Sequence, residues 1–185
     1  MEITGIHHTG IIVADLDRSI YFYHDVLGAE FVSEPSPWFD GEELATGVGV
    51  PGASLRQVNL RFGGAQFELL EYGNRPSGNT EPAPQNRLGS MHLGLRVDDI
   101  VATKAALEAK GVQFLSDVHV VDEGVLAGWR WVYLHDPDGI TLELVEEAYS
   151  DPDKHARAIE AYLRDRPTLD TLGDTAGTDN NGENA

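Results

Sequence analysis

One pattern occurs twice in this chain, and an internal repeat constrains a fold more tightly than composition can. His8-Thr-Gly-Ile-Ile-Val-Ala-Asp15 is matched by His92-Leu-Gly-Leu-Arg-Val-Asp-Asp99: a strand-like run that opens on His, has Gly two places on and reaches Asp seven places on. Each run is answered later by a glutamate in an apolar strand, Glu68 in Phe-Glu-Leu-Leu and Glu143 in Leu-Glu-Leu-Val. Side chains alternate along a strand, so His8, Gly10 and Ile12 share one face, and His92, Gly94 and Arg96 share another. Two His and two Glu at equivalent places are what a pseudo-symmetric divalent-metal site needs.

The elements between these landmarks also repeat. In the first half, 3–13 reads as a strand and Asp15 or Asp17 caps a helix over 19–27 that Gly28 closes. A short strand follows at 29–33. The connection 38–50 holds a short helix around 42–46, and strands 55–62 and 66–72 meet at the Gly63-Gly64 turn. In the second half, 91–97 is a strand, Asp98 or Asp99 caps a helix reaching Lys110, and Gly111 ends it. A short strand at 112–115 follows, then strands 129–135 and 140–146 about the Asp136-Pro-Asp-Gly139 turn. The distance from His to the post-helix Gly is 20 residues in one half (8 to 28) and 19 in the other (92 to 111). The expected class is therefore α+β, with two βαβββ modules in one domain over 1–150. Module 1 covers about 3–72, a Pro/Gly/Asn-rich linker 73–89, and module 2 about 90–147. A helix over 151–168 and a disordered acidic tail over 169–185 complete the chain.

Composition enters where it excludes. There is no cysteine among the 185 residues, so there is no disulfide framework, no thiol nucleophile and no thiolate ligand; any metal must take N and O donors. With 31 Asp and Glu against 13 Lys and Arg, the net charge is −18, which opposes binding to nucleic acid or an anionic membrane. An anionic substrate stays possible, because a local metal reverses the field inside a cleft. No apolar run approaches the roughly 18 residues of a membrane span. The opening Met-Glu-Ile-Thr-Gly lacks the basic start and apolar stretch of a signal peptide, so the cytoplasm is the expected compartment.

The paired βαβββ units, the run from His8 through Asp15-Leu-Asp-Arg-Ser-Ile-Tyr-Phe-Tyr-His-Asp-Val-Leu-Gly28, and Asp136-Pro-Asp-Gly-Ile-Thr-Leu-Glu143-Leu together resemble the vicinal oxygen chelate superfamily. That group includes glyoxalase I, methylmalonyl-CoA epimerase, extradiol dioxygenases and antibiotic-resistance proteins. The resemblance covers about residues 3–147. It implies two modules whose sheets curve around a cleft, with a metal on the concave face bound from the first and last strands of each module. Carried over by position, the ligands are His8, Glu68, His92 and Glu143. His8 rather than His7 matches, since it precedes Asp15 as His92 precedes Asp99. A homodimer is implied by the resemblance alone.

Other residues carry weaker expectations. Glu71 and Glu146 lie three places beyond the candidate ligands, hence on opposite faces, and are expected to be solvated, while Glu147 lies at the same strand end. His24 is expected to pack or face water. His119 and His135 lie in or beside loops, where sites tend to gather. Trp129, Trp131 and Tyr133 alternate in one strand, and Trp131 is a candidate for lining the cleft. Arg61, Arg96 and Arg130 are the candidates for holding an anionic substrate.

Two imidazoles and two carboxylates balance a divalent cation, which favours Zn, Ni, Co, Mn or Fe(II) and leaves two positions for vicinal oxygens of a substrate such as a thioester or hemithioacetal. Such a site polarises a carbonyl and eases removal of the neighbouring proton, with Glu143 as the first choice of base and Glu68 the second. The expected activity is isomerisation, lysis or epimerisation next to a carbonyl. Within the resembling family, two His and two Glu look most like glyoxalase I. Methylmalonyl-CoA epimerase shares the His-His-Thr-Gly-Ile opening but commonly has Gln where Glu68 stands, and a further Glu in the preceding strand. Here that strand, residues 53–60, carries no acid. An extradiol Fe(II) dioxygenase is the alternative, with His8, His92 and Glu143 as its triad, although Glu68 would occupy a position that chemistry needs. A drug-binding protein without catalysis is a further alternative; such proteins usually lack the metal ligands.

Overall fold

Both aspartates that close the repeated pattern cap helices in the computed structural model, which describes residues 2–75, 84–149 and 151–165. Module 1 runs β1 (Thr9–Val13), α1 (Leu16–Ile20), β2 (Glu30–Phe31), β3 (Phe39–Asp40), α2 (Glu42–Val48), β4 (Ser54–Phe62) and β5 (Ala65–Tyr72). Module 2 runs β6 (His92–Arg96), α3 (Ile100–Ala109), β7 (His119–Val120), β8 (Trp129–His135) and β9 (Thr141–Glu147), and α4 (Pro152–Asp165) follows. α1 continues into a π-helical stretch, Tyr21–Val26. Asp15 Oδ1 accepts from the Arg18 N–H at 3.0 Å, and Asp99 Oδ1 from the Ala102 N–H at 2.9 Å. The first of these bonds holds the Asp15 carboxyl below its usual range. At the other ends, Gly28 and Gly111 take φ of 86° and 90°, the left-handed turn that a glycine makes without strain.

The two sheets have the same plan. Module 1 orders its strands β1-β5-β4-β2, with β3 also on β4; module 2 orders them β6-β9-β8-β7. In each, the first and last strands pair parallel, and the registers correspond: Gly10 lies opposite Glu68 and Gly94 opposite Glu143. The other face of each sheet is apolar, and both contribute to one core. Val13, Val58, Leu60, Phe67 and Leu69 of module 1 belong to the same buried cluster as Val132, Leu134, Leu142 and Leu144 of module 2, with Leu16, Tyr23, Ile100 and Leu107 from the helices. Burial of this kind is the main source of stability.

Polar bonds join the modules beside that core. Arg18 pairs with Asp138, the Ala14 N–H donates to Asp138 Oδ2 at 3.1 Å, and the Tyr23 hydroxyl donates to Asp136 Oδ2 at 3.0 Å.

Three expectations are revised by the structure. The first strand begins at Thr9 and not at Ile3; residues 2–8 lie outside any strand, with Ile3 and Ile6 exposed. Residues 112–115 make only an isolated bridge, Phe114 to Leu134, and the edge strand of module 2 is β7 instead. Glu71 and Glu146 are not solvated, their side chains being 16% and 14% exposed. They do face away from Glu68 and Glu143, but that face is covered by helices. Glu71 Oε2 accepts from the Leu16 N–H at 2.7 Å and from Arg56 Nε at 2.9 Å. Glu146 Oε2 accepts from the Ile100 N–H at 2.9 Å, and Oε1 from Arg130 Nη1 at 3.2 Å. Each glutamate thus neutralises the N-terminus of its module's helix and is held by an arginine. Partial burial works against the Arg56 charge, but hydrogen bonds to Glu71 and Asp17 raise its pKa on balance.

The chain divides into two compact units, one holding both modules and the other made of Val121–Trp129 with the chain from Ala148 onward. In the second unit Trp129 lies tilted against Tyr149 at 5.8 Å between centroids, and Tyr149 stacks on His155 at 4.7 Å. α4 there exposes Ile159, Tyr162 and Leu163. The expected tail over 169–185 and the middle of the linker, 76–83, lie outside the described residues. Among the described residues no helix is long and apolar enough to cross a membrane.

Candidate functional site

Each histidine stands beside its glutamate on the face away from the core, His92 from the first residue of β6 and His8 from the residue just ahead of β1. His8 Nε2 stands 3.7 Å from Glu68 Oε2, and His92 Nε2 stands 3.1 Å from Glu143 Oε2. The histidines are about two-fifths exposed and the glutamates about one-seventh, so both pairs are open to small molecules while the carboxylates are partly desolvated. The intervening glycines keep the floor low: a Cβ on Gly94 would come within 4.0 Å of Glu143 Oε2, and one on Gly10 would touch Leu70. His7 lies against its neighbour. Its Nδ1 lies 2.8 Å from Nδ1 of His8, with the rings edge to face.

The four candidate ligands are thus brought together as two pairs. Among the described residues no group of three or more His, Asp or Glu converges at metal-coordinating distance. Each pair offers one nitrogen and one oxygen, a donor set that suits a borderline divalent cation; a full set needs both pairs on one ion. A cavity of about 540 Å³ opens between β1 and β6, lined by Gly10, Ile12, Arg87, Met91 and Thr141 among others, and of the four ligands it reaches only His92.

The surroundings of the two pairs differ. Beside Glu143, the Tyr133 hydroxyl is hydrogen-bonded to the carboxylate, and its pKa is raised by burial, by the Glu143 charge and by that bond. Tyr133 lies edge-on to His92 at 5.4 Å and tilted against Trp131 at 5.3 Å, and Trp131 stacks on His119 at 4.5 Å. Beside Glu68, the residue opposite on β4 is Asn59, whose Oδ1 accepts from Gln66 Nε2 at 3.1 Å. Tyr133 was missed as a partner of Glu143. The signal was available: Asp136 and Ile140 close the turn, and counting back three places on each strand sets Tyr133 against Glu143.

The arginine candidates are all held by acids. Arg61 forks onto Glu30, with Nη2 at 2.7 Å, Arg96 reaches Glu147 at 3.9 Å, and Arg130 is tied to Glu146 on the helix side of its sheet. His24 packs, its Nδ1 bonded to the Ala29 carbonyl at 2.7 Å and its ring against Phe31. His135 has a buried Nδ1 with no partner among the described residues.

Comparison with known proteins gives this geometry a context. Residues 5–144 match the model of the Glyoxalase/Bleomycin resistance protein/Dioxygenase superfamily. The chain is 31% identical over 161 residues to the 2-epi-5-epi-valiolone epimerase of an Actinomyces species, covering 85% of this chain and 87% of that one. It is 30% identical to the mitochondrial methylmalonyl-CoA epimerase of Mus musculus (75% and 71% covered) and to the lactoylglutathione lyase of Haemophilus influenzae (76% and 91%). A solved glyoxalase family protein from Bacillus cereus shares the fold, with a TM-score of 0.67 at 22% identity over 80% of this chain and 97% of that one. A duplicated βαβββ plan with a matching His–Glu pair in each half, together with these relatives, makes the chain a member of the Glyoxalase/Bleomycin resistance protein/Dioxygenase superfamily.

Proposed function

We propose that this protein is a divalent-metal-dependent enzyme that moves a proton next to a carbonyl, in an epimerisation or isomerisation. The observation that carries the reading is the duplicated His–Glu pair, at 3.7 Å in one module and 3.1 Å in the other, with Glu68 and Glu143 in equivalent register on β5 and β9, His92 at the start of β6 and His8 one residue ahead of β1. Similarity to two epimerases and a lyase supports it. In this reading His8, Glu68, His92 and Glu143 hold the metal. A divalent ion bound there would polarise the substrate carbonyl and offset the negative charge its oxygen gains as the proton leaves.

The protein's own groups do the proton work. A Glu143 carboxylate oxygen takes the proton from the carbon next to the carbonyl, and the freed electron pair enters the enolate. Returning the proton to the opposite face of the same carbon gives an epimer; returning it elsewhere gives an isomer. Glu68 is the second acid–base candidate. Tyr133 distinguishes the two carboxylates, since its hydroxyl fixes the orientation of Glu143 and Glu68 has an amide neighbour instead. A homodimer belongs to this reading.

The test is metal analysis coupled to solvent-deuterium exchange into candidate hemithioacetals, acyl-CoA thioesters and cyclic ketones. Glu143→Gln should abolish exchange, and His8→Ala should lower the metal content. Full turnover by chelator-treated protein would end the metal mechanism. Light scattering of the eluted protein reads the oligomer.

A further inference from the structure

The two half-sites share their His and Glu and differ in what surrounds them; we propose that this difference selects a neutral, hydroxylated ring as substrate, its apolar face laid on the rings of β8 and its hydroxyls bonded to the amides of β4 and β5. The proposal rests on the proton-transfer reading and names the body that carries the carbonyl.

In module 2 the exposed face of the sheet is aromatic from edge to edge. His92 on β6, Tyr133 and Trp131 on β8 and His119 on β7 form a continuous series, with centroids 5.4, 5.3 and 4.5 Å apart. Trp131 and Tyr133 are only half-buried, so their rings are not part of the core. The Tyr133 hydroxyl is engaged by Glu143, which leaves the wall apolar beside the carboxylate. Such a surface takes flat or ring-shaped matter.

In module 1 the equivalent face has no ring on β4. Gln57 and Asn59 alternate there on the side of Glu68, and Gln66 stands on β5. The Gln66-to-Asn59 bond at 3.1 Å orients both amides and leaves the Asn59 NH₂ and the Gln66 carbonyl for a ligand. Uncharged groups that both donate and accept match hydroxyls.

Charge points the same way. Carriers such as coenzyme A and glutathione are anionic and call for fixed cations at the wall. Arg61 and Arg96, the guanidiniums that strand alternation puts on these two faces, stand against Glu30 and Glu147, in a chain of net charge −18; Arg87 lines the cavity beside His92 from the exposed segment ahead of β6, outside the strand faces that hold the rings and the amides.

The experiment is calorimetric titration of the metal-loaded protein with 2-keto-myo-inositol, a cyclic polyhydroxy ketone, beside S-lactoylglutathione and propionyl-CoA. Saturable binding of the ring ketone alone is expected. Trp131→Ala and Asn59→Ala should each weaken it about ten-fold, and Trp131→Phe no more than about two-fold. Thermal unfolding of each variant separates lost contact from lost fold. Tighter binding of either thioester than of the ring ketone, or ketone binding indifferent to both Trp131→Ala and Asn59→Ala in folded protein, overturns the proposal. Ring-ketone binding that depends on Trp131 but brings no deuterium exchange supports the subsite and overturns the proton-transfer reading alone.

Discussion

Asp136 is 5% exposed, yet it sits in the turn between β8 and β9 with a full set of donors. Its Oδ1 accepts from the N–H groups of Asp138 and Ile140, both at 2.8 Å, and its Oδ2 from the Tyr23 hydroxyl. Burial still outweighs those bonds and holds the carboxyl above its usual range, and the same burial together with the Asp136 charge pushes the Tyr23 hydroxyl up. A carboxyl whose pKa is higher folded than unfolded keeps its proton longer in the native state. Its contribution to stability therefore falls as pH rises between the two values and is at its least above the folded one. Asn at this position accepts the same two backbone bonds and donates its NH₂ to the Tyr23 oxygen. Asp136→Asn is thus expected to stay within about 1 kcal/mol of the parent at neutral pH and to flatten the loss of stability above about pH 4. Urea denaturation at several pH values measures this, and a loss above about 3 kcal/mol at neutral pH would show that the charge itself is needed. At this scale the sequence was readable where spacing alone decides: His8, Glu68, His92 and Glu143 fall into pairs as their strand positions require. It was not readable where a long side chain chooses among partners, as with Arg130, whose place on Glu146 depends on a helix packed against the sheet.

The elements show the same division. Both hairpins and both capped helices follow from local chemistry, the Gly63-Gly64 and Asp136-Gly139 turns and the Asp15 and Asp99 caps. The ends of β1 do not. Ile3 and Ile6 are apolar, but the pairing of β1 with β5 begins at Thr9 opposite Phe67, and the preceding residues have no strand partner. Glu71 and Glu146 make the sharpest element-scale prediction. Each satisfies a helix N-terminus and an arginine from a partly buried position, so Glu71→Ala and Glu146→Ala should each cost about 2 to 3 kcal/mol. Gln at either position should recover part of the loss, since it accepts the bond without the charge. Chemical denaturation of the four variants checks this, and an alanine variant within about 0.5 kcal/mol of the parent would reduce the device to a surface ion pair.

For the whole molecule, the dominant long-range term is charge. At −18 the native state carries strong self-repulsion that salt screens over a Debye length of about 8 Å at physiological ionic strength. The thermal midpoint should therefore rise between about 0.01 and about 0.5 M NaCl, and a midpoint that falls would mean that specific ion pairs such as Arg18–Asp138 and Arg61–Glu30 outweigh the net charge. The duplication was legible because it is written in spacing; the different neighbours of its two halves were not, because they depend on which residues happen to stand opposite Glu68 and Glu143 across each hairpin. That arrangement divides labour among the strands. β5, β6 and β9 carry Glu68, His92 and Glu143 on one side, β1 sets His8 just ahead of its first residue, and all four strands anchor the core on the other side, so a one-residue slip in any of them would spoil both. The outward positions of β4, and those of β8 other than Tyr133, carry neither obligation. A lineage, or an engineer, can retool those positions for a new substrate and leave the reactive apparatus as it was.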